Sequence, residues 1–145
     1  MKNYLIYLSG GMMKFGDDNF DKGNKWREYC KHALETCECD YKVKCFNPNS
    51  YFSFKSDAPE YSSETEVMRF DLHNLRKSDL VIVNYNDKWS LGTMSEVAIA
   101  YDRNIPIIAL NEGNQTLHPW QKCMSERIFN NIDEMLDYIE DFYLR

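Results

Sequence analysis

Glu96 is the residue in this chain with the clearest potential for chemistry. It closes the segment Ser90–Glu96, which follows the apolar run 79–84 and has the composition of a helix start. Open α/β sheets bind their ligands beyond the carboxyl ends of the parallel strands. A carboxylate in the first turn of a helix at that edge is placed to meet a ligand, and it can act as a nucleophile toward a sugar carbon.

The same segment also has a purely structural interpretation. Thr93 and Glu96 stand three positions apart, as in a capping box, in which Thr93 caps the helix and Glu96 binds the Thr93 amide. The carboxylate would then face its own backbone or solvent, away from Tyr7 and Asp71. The position of Glu96 relative to those two side chains therefore separates a catalytic role from a capping role.

Apolar runs alternate with amphipathic stretches along the chain, which predicts a parallel sheet covered by helices on both faces. The predicted strands are 4–8, 42–46, 79–84, 105–110 and 128–129. The predicted helices are 24–36, 64–77, 93–103, 120–124 and 133–143. Asn104 is expected to end the third helix in a left-handed conformation. We predict one α/β domain, residues 1–145, with a flavodoxin-like or Rossmann-like three-layer fold and a parallel five-stranded sheet.

The loops that follow parallel strands meet at one edge of the sheet, since all the strands point the same way. The loops in question are 9–23, 47–63, 85–92 and 111–119. The second of them carries four aromatic residues: Tyr51, Phe52, Phe54 and Tyr61. These rings suit stacking on a nucleobase, and they suit a minor core or a subunit interface equally well.

The composition limits the kind of ligand. The chain has 145 residues, of which 43% are hydrophobic, and a formal net charge of -6. That charge disfavours binding to polymeric nucleic acid or to an anionic membrane surface. Backbone amides at a helix start can still hold a small anion. No apolar run approaches the roughly 20 residues of a membrane span, so we predict no membrane partner.

The cysteines point to a reducing compartment. There are five of them, an odd number without a clear disulfide framework, and the polar N-terminus is unlike a signal peptide. The spacing of Cys30, Cys37, Cys39 and Cys45 does not match the paired ligands of a structural zinc site. We predict a cytoplasmic protein with free thiols and no bound metal.

Several segments, taken in order, resemble those of the nucleoside 2-deoxyribosyltransferases and the related nucleotide N-glycosidases. They are Ile6–Gly11, Trp26-Arg27, Arg69–Leu72 followed by 78–84, Ser90–Glu96, Pro106 and His118–Trp120. The resemblance extends over nearly the whole chain, and it rests on the ordered set rather than on one motif.

The resemblance implies a role for three residues. Glu96 would attack C1′ of a (deoxy)ribosyl group and form a covalent glycosyl intermediate, as the carboxylate of a retaining glycosidase does. Asp71 would protonate the departing base as a general acid, and Tyr7 would orient Glu96. Water or a second base would complete the reaction, and no cofactor is required.

The resemblance also bears on the substrate. Ser90 is similar to the serine of N-glycosidases that act on nucleoside 5′-monophosphates, whereas transferases for free nucleosides tend to carry an aspartate there. A hydroxyl donates to a phosphate, whereas a carboxylate repels it. Further substrate contacts are expected from Gly92 and from the loop start Ser9, Gly10 and Gly11, at helix starts that favour anions. Lys14 is the candidate cation.

Members of this family assemble as dimers or larger oligomers, in which a neighbour's C-terminal region completes the pocket. The resemblance therefore implies a homo-oligomer, in which Asn111 and the loop to His118 complete a neighbour's site. The alternative is a binding protein on the same scaffold that holds a nucleotide or a nucleotide-derived signal without turnover. An interaction module built on the aromatic loop is a third class. Glu96→Ala separates the first two, because a binder keeps its ligand while an enzyme loses turnover.

Overall fold

The computed structural model describes residues 1–11, 20–51 and 63–145. Strands and helices alternate along these ranges: β1 (Lys2–Gly10), α1 (Phe20–Thr36), β2 (Tyr41–Phe46), α2 (Glu64–Arg76), β3 (Leu80–Asn84), α3 (Leu91–Asp102), β4 (Ile107–Leu110), α4 (Pro119–Met124), β5 (Arg127–Phe129) and α5 (Ile132–Phe142). Short 3₁₀ turns follow β2 and β3. Within the described ranges, the helices are all too short or too polar to cross a membrane.

The strands form one parallel sheet in the order β2-β1-β3-β4-β5. The chain leaves β1 toward β2 and then returns to the other side of β1 to form β3. Flavodoxin-like sheets have this order, and they bind ligands in the crevice where the direction of winding reverses, between β1 and β3. The predicted three-layer α/β fold with a parallel five-stranded sheet is confirmed.

The central strands β1, β3 and β4 contribute to two cores, because successive side chains point to opposite faces of the sheet. The core between the sheet and helices α1 and α5 includes Ile6, Leu8, Trp26, Leu34 and Met135. The core between the sheet and helices α2 and α3 includes Tyr7, Leu75, Val81, Val83 and Val97. Tyr7 therefore points to the face of the sheet that carries Asp71 and Glu96.

Local boundaries differ from the prediction by up to four residues. Helix α1 begins at Phe20 rather than Asn24, and β1 continues to Gly10. Strand β4 begins at Ile107 rather than Ile105. Asn104 has a φ of 58°, which confirms the left-handed residue predicted at the end of α3.

Gly10, the last residue of β1, packs so closely against α1 that a side chain does not fit. A Cβ there would lie 2.8 Å from Trp26 Cζ2 and 3.4 Å from Arg27 Nη2, and both side chains are buried. We expect Gly10→Ala to lower the free energy of unfolding by about 1–3 kcal/mol, the usual effect of overpacking. Thermal unfolding measures this loss.

Gly92→Ala is the matched control for that substitution. A Cβ at Gly92 meets nothing within 4 Å, and alanine favours the helix that begins there. The control should unfold at the wild-type temperature or slightly above it. Equal melting temperatures for the two variants would contradict the tight contact between Gly10 and α1.

Candidate active site

Two side chains of β1 meet one from a distant part of the sequence at the carboxyl end of that strand. The Tyr7 phenol donates a hydrogen bond to Glu96 Oε2, and Ser9 Oγ donates to Glu96 Oε1 at 2.8 Å. Tyr7 and Ser9 are two positions apart on a strand and therefore face the same side of the sheet, where α3 lies. Each carboxylate oxygen of Glu96 has one donor, so the orientation of the carboxylate is fixed.

The capping interpretation of Glu96 is wrong, because α3 begins earlier than predicted. Its N-cap is Ser90, whose Oγ accepts from the Thr93 amide at 3.4 Å and from Thr93 Oγ1 at 3.0 Å. Glu96 consequently lies in the second turn of α3 rather than the first. Its carboxylate faces β1 instead of the start of its own helix.

The ionisation of Glu96 is set by opposing effects. Burial raises the pKa of Glu96 above its usual value, while the hydrogen bonds from Tyr7 and Ser9 and the charge of Arg27 lower it. Burial raises the pKa of Tyr7 well above that of an ordinary phenol, so Tyr7 keeps its proton and remains a donor. A nucleophilic carboxylate must be ionised, and these neighbours favour its charged form.

Asp71, on α2, is electrostatically coupled to Glu96. Burial, followed by the charge of Glu96, raises the pKa of Asp71 to about 7, against an opposing effect of Arg27. Asp71 Oδ1 is buried and has no hydrogen-bond partner within the described part of the chain. A carboxyl group with this pKa keeps a substantial protonated fraction near pH 7, where an ordinary aspartate is almost fully ionised, and a general acid requires that proton.

An aromatic cluster borders Tyr7 and Asp71. Phe46, at the end of β2, stacks on Tyr7 with ring centroids 5.2 Å apart and on Tyr51 with centroids 4.9 Å apart. Phe70, which precedes Asp71, packs against both Phe46 and Tyr51. Tyr51 was predicted from its loop, whereas Phe46 and Phe70 have the pattern of ordinary strand and helix residues. The remaining predicted loop aromatics lie outside the described residues: Phe52, Phe54 and Tyr61.

Gly11, the first residue after β1, abuts the loop that precedes α3. The Gly11 amide donates to Asn86 Oδ1 at 3.0 Å. A Cβ at Gly11 would lie 2.8 Å from Asp87 Cβ and 3.5 Å from Ser90 Cβ. The structure thus brings Gly10, Gly11 and Ser90 to one edge of the sheet, and it adds Asp87, a carboxylate that the sequence analysis missed.

The other predicted substrate contacts are dispersed. Gly92 is exposed at the start of α3, and Lys14 lies outside the described residues. The Asn111 side-chain amide donates to the Gln115 carbonyl at 2.9 Å and accepts from the Gln115 amide at 3.2 Å. These contacts are to its own loop rather than to Glu96. Asn111 also lines a cavity of about 290 Å³ beyond β4 and β5.

The reversal of the sheet between β1 and β3, with the half-buried carboxylates of Glu96 and Asp71 at its carboxyl edge, defines an α/β enzyme of the doubly wound class. A sequence profile of nucleoside 2-deoxyribosyltransferases matches residues 6–136. The chain belongs to the nucleoside 2-deoxyribosyltransferase family. The protein is accordingly an N-glycosyl transferase or hydrolase that acts on nucleoside or nucleotide small molecules.

Solved structures share this fold at low sequence identity. A conserved protein from Enterococcus faecalis has a TM-score of 0.72 and 16% identity, over 95% of this chain and 98% of that one. The 2-deoxyribosyltransferase from Bacillus psychrosaccharolyticus has a TM-score of 0.72 and 16% identity, over 92% and 91%. The CMP N-glycosidase BcmB from Clostridium botulinum has a TM-score of 0.57 and 16% identity, over 94% and 98%. Curated protein sequences contain no significant match.

Proposed function

We propose that the protein cleaves or transfers the N-glycosidic bond of a (deoxy)nucleoside or its 5′-monophosphate through a covalent glycosyl intermediate on Glu96. The observation that carries this proposal is the Glu96 carboxylate, held by Tyr7 and Ser9 and coupled to Asp71. Family membership supports the class of reaction, and these contacts support the assignment of roles.

In the first step, an oxygen of Glu96 attacks C1′ while the C1′–N bond breaks. The electron pair of that bond goes to the base nitrogen, and Asp71 supplies the proton that the departing base needs. Tyr7 and Ser9 hold the carboxylate in one orientation throughout, which avoids the entropic cost of fixing it during the reaction. The products of this step are a free base and a glycosyl ester of Glu96.

In the second step, water or a second base attacks C1′ and Glu96 leaves as a carboxylate. Asp71, ionised after the first step, accepts the proton that the acceptor loses. Two displacements at C1′ restore its configuration, so hydrolysis and transfer both proceed with retention. The two reactions differ only in which acceptor occupies the position that the first base has left.

Features at the start of α3 bear on the 5′ substituent of the substrate. Ser90 Oγ accepts hydrogen bonds from Thr93, so its own hydrogen remains to be donated to a phosphate or hydroxyl oxygen. Asp87 adds negative charge beside Gly11, and the Gly11 amide already binds Asn86. The serine favours a phosphate, whereas the aspartate and the occupied amide favour a free 5′-hydroxyl.

Base release from matched pairs of substrates tests the proposal. Each pair has the same base and sugar and differs only in the 5′-phosphate, and each is measured with and without a second free base. We expect release from at least one member of the panel. Release in water identifies a hydrolase, and release only with a second base identifies a transferase. If no substrate releases its base while one of them still raises the melting temperature, the catalytic proposal is wrong.

The homo-oligomer and the cytoplasmic location inferred from the sequence remain predictions. The same holds for the place of Asn111 in a neighbour's pocket. The structure describes a single chain, in which Asn111 is 6% exposed and bound to its own loop.

A further inference from the structure

We infer that Arg27 is a positioning residue for Glu96, which holds the end of β1 through its backbone carbonyls and adds a buried positive charge to the site. The inference rests on the proposed nucleophilic role of Glu96. It extends that proposal to a residue on the opposite face of the sheet, since α1 packs on the side away from α2 and α3.

The Arg27 guanidinium contacts the backbone on both sides of Ser9. Nη2 donates to the Gly10 carbonyl at 2.6 Å, and Nε lies 3.5 Å from the Leu8 carbonyl oxygen. Ser9, between these two carbonyls, directs its Oγ to Glu96 Oε1. A shift of the β1 end would therefore displace the hydroxyl that orients the nucleophile.

The guanidinium is itself held firmly within α1. Nη1 donates to the Gly23 carbonyl, one turn earlier, at 2.7 Å. The guanidinium carbon lies 4.9 Å from the centroid of the Trp26 ring, and Arg27 is only 2% exposed. A rigid planar group with several donors can bind several carbonyls at once, whereas the ammonium group of a lysine cannot reproduce that geometry.

The charge of Arg27 offsets part of the effect that burial has on the carboxylates. Burial lowers the pKa of Arg27 to about 10, while Glu96, Tyr7 and Asp71 raise it, so the side chain is cationic at neutral pH. Its charge in turn lowers the pKa of both Glu96 and Asp71. Burial without a nearby opposite charge favours the protonated form of a carboxyl group, and protonated Glu96 is not a nucleophile.

Arg27→Lys and Arg27→Met separate the two contributions. Arg27→Lys keeps the positive charge but loses the planar set of N–H donors that binds the backbone carbonyls. The Ser9 hydroxyl should then be misplaced, and kcat should fall by up to about 100-fold. The acid limb of its pH profile should stay near the wild-type position. Arg27→Met keeps the aliphatic stem and loses the charge as well. Its acid limb should move to higher pH, so that the loss of rate is greatest at acidic pH.

Lys25→Met is the matched control, because Lys25 is an exposed cation on the same helix. It should leave both the rate and the pH profile unchanged. A purely structural role of Arg27 would lower the melting temperature and the amount of active enzyme, and it would leave the acid limb of Arg27→Met where the wild type has it.

A double-mutant cycle of Ser9→Ala and Arg27→Lys tests whether Arg27 affects Glu96 by positioning Ser9. This experiment remains possible even if Arg27→Met does not fold. If Arg27 acts through Ser9, the loss in Ser9→Ala/Arg27→Lys is smaller than the product of the two single losses. Either an unshifted acid limb in Arg27→Met or fully multiplicative losses in the cycle would overturn the inference. Activity that survives in Glu96→Gln would instead overturn the proposed function, so the two failures are distinguishable.

Discussion

Glu96→Gln should lower kcat/KM for base release by about 10⁴-fold or more, the scale of loss when a nucleophile is removed. An amide oxygen is a poor nucleophile, although the side chain keeps its size. Tyr7 and Ser9 both donate hydrogen bonds to the carboxylate. The NH₂ group of glutamine is itself a donor, so it cannot accept one of these two hydrogen bonds. Steady-state base release measures the loss.

Asp102→Asn is the matched control, since it removes an exposed carboxylate at the other end of α3, and it should retain the wild-type rate. The configuration of the product at C1′ is an independent readout for the wild-type enzyme. Retention agrees with a covalent intermediate on Glu96, whereas inversion would exclude one. Wild-type turnover in Glu96→Gln would contradict the assigned role directly.

Asp71→Asn should slow base release by about 10²–10⁴-fold, the usual contribution of a general acid. The pKa of Asp71 is raised to about 7, so its protonated form becomes scarce as the pH rises above that value. The wild-type rate should therefore fall on the alkaline side of pH 7. Asparagine has no proton to transfer, so this alkaline limb should be absent from the variant's pH profile.

A sugar whose leaving group departs without protonation is the control substrate for Asp71→Asn. The variant should cleave it nearly as fast as the wild type does. Equal losses with both kinds of leaving group would contradict the role of general acid and indicate a disturbed site.

The melting temperature of Asp71→Asn separates lost chemistry from lost structure. Folding raises the pKa of Asp71 from 3.8 to about 7, so the folded state holds a proton that the unfolded state has released. This proton stabilises the folded state relative to one with an ionised Asp71. The stabilisation is fully present below pH 3.8 and is lost as the pH rises through about 7. At alkaline pH, Asp71→Asn should therefore melt no lower than the wild type.

The elements of the fold were predictable because they depend on local patterns. Short apolar runs such as 79–84 predicted the strands, and amphipathic stretches between them predicted the helices. The predicted start of helix α3 was wrong because Ser90 and Thr93, three positions apart, are both residue types that favour the N-cap. Local sequence does not distinguish them, and in the structure Ser90 is the N-cap, with its Oγ accepting from the Thr93 amide.

The resemblance to the family pointed to Glu96, Asp71 and Tyr7. It implied that Tyr7 orients Glu96, but it gave no such role to Ser9 or Arg27, because serine and arginine side chains in these positions have no periodicity that marks them. Ser9 was predicted to bind substrate, yet its hydroxyl binds Glu96. Asn111 was predicted for a neighbour's pocket, and within its own chain its amide closes a loop.

The strands and helices, their parallel arrangement and the family of the enzyme could all be predicted from the amino-acid sequence. Apolar periodicity depends on short stretches of sequence, and the order of the motifs can be seen without knowing the fold. The tertiary structure was needed to show that Ser9 joins Tyr7 in binding the Glu96 carboxylate. Ser9 and Glu96 are 87 positions apart, and Arg27, from the helix layer on the other face of the sheet, binds the Gly10 carbonyl at the end of β1. Such contacts depend on how helices from both layers pack against β1, which no local stretch of sequence specifies.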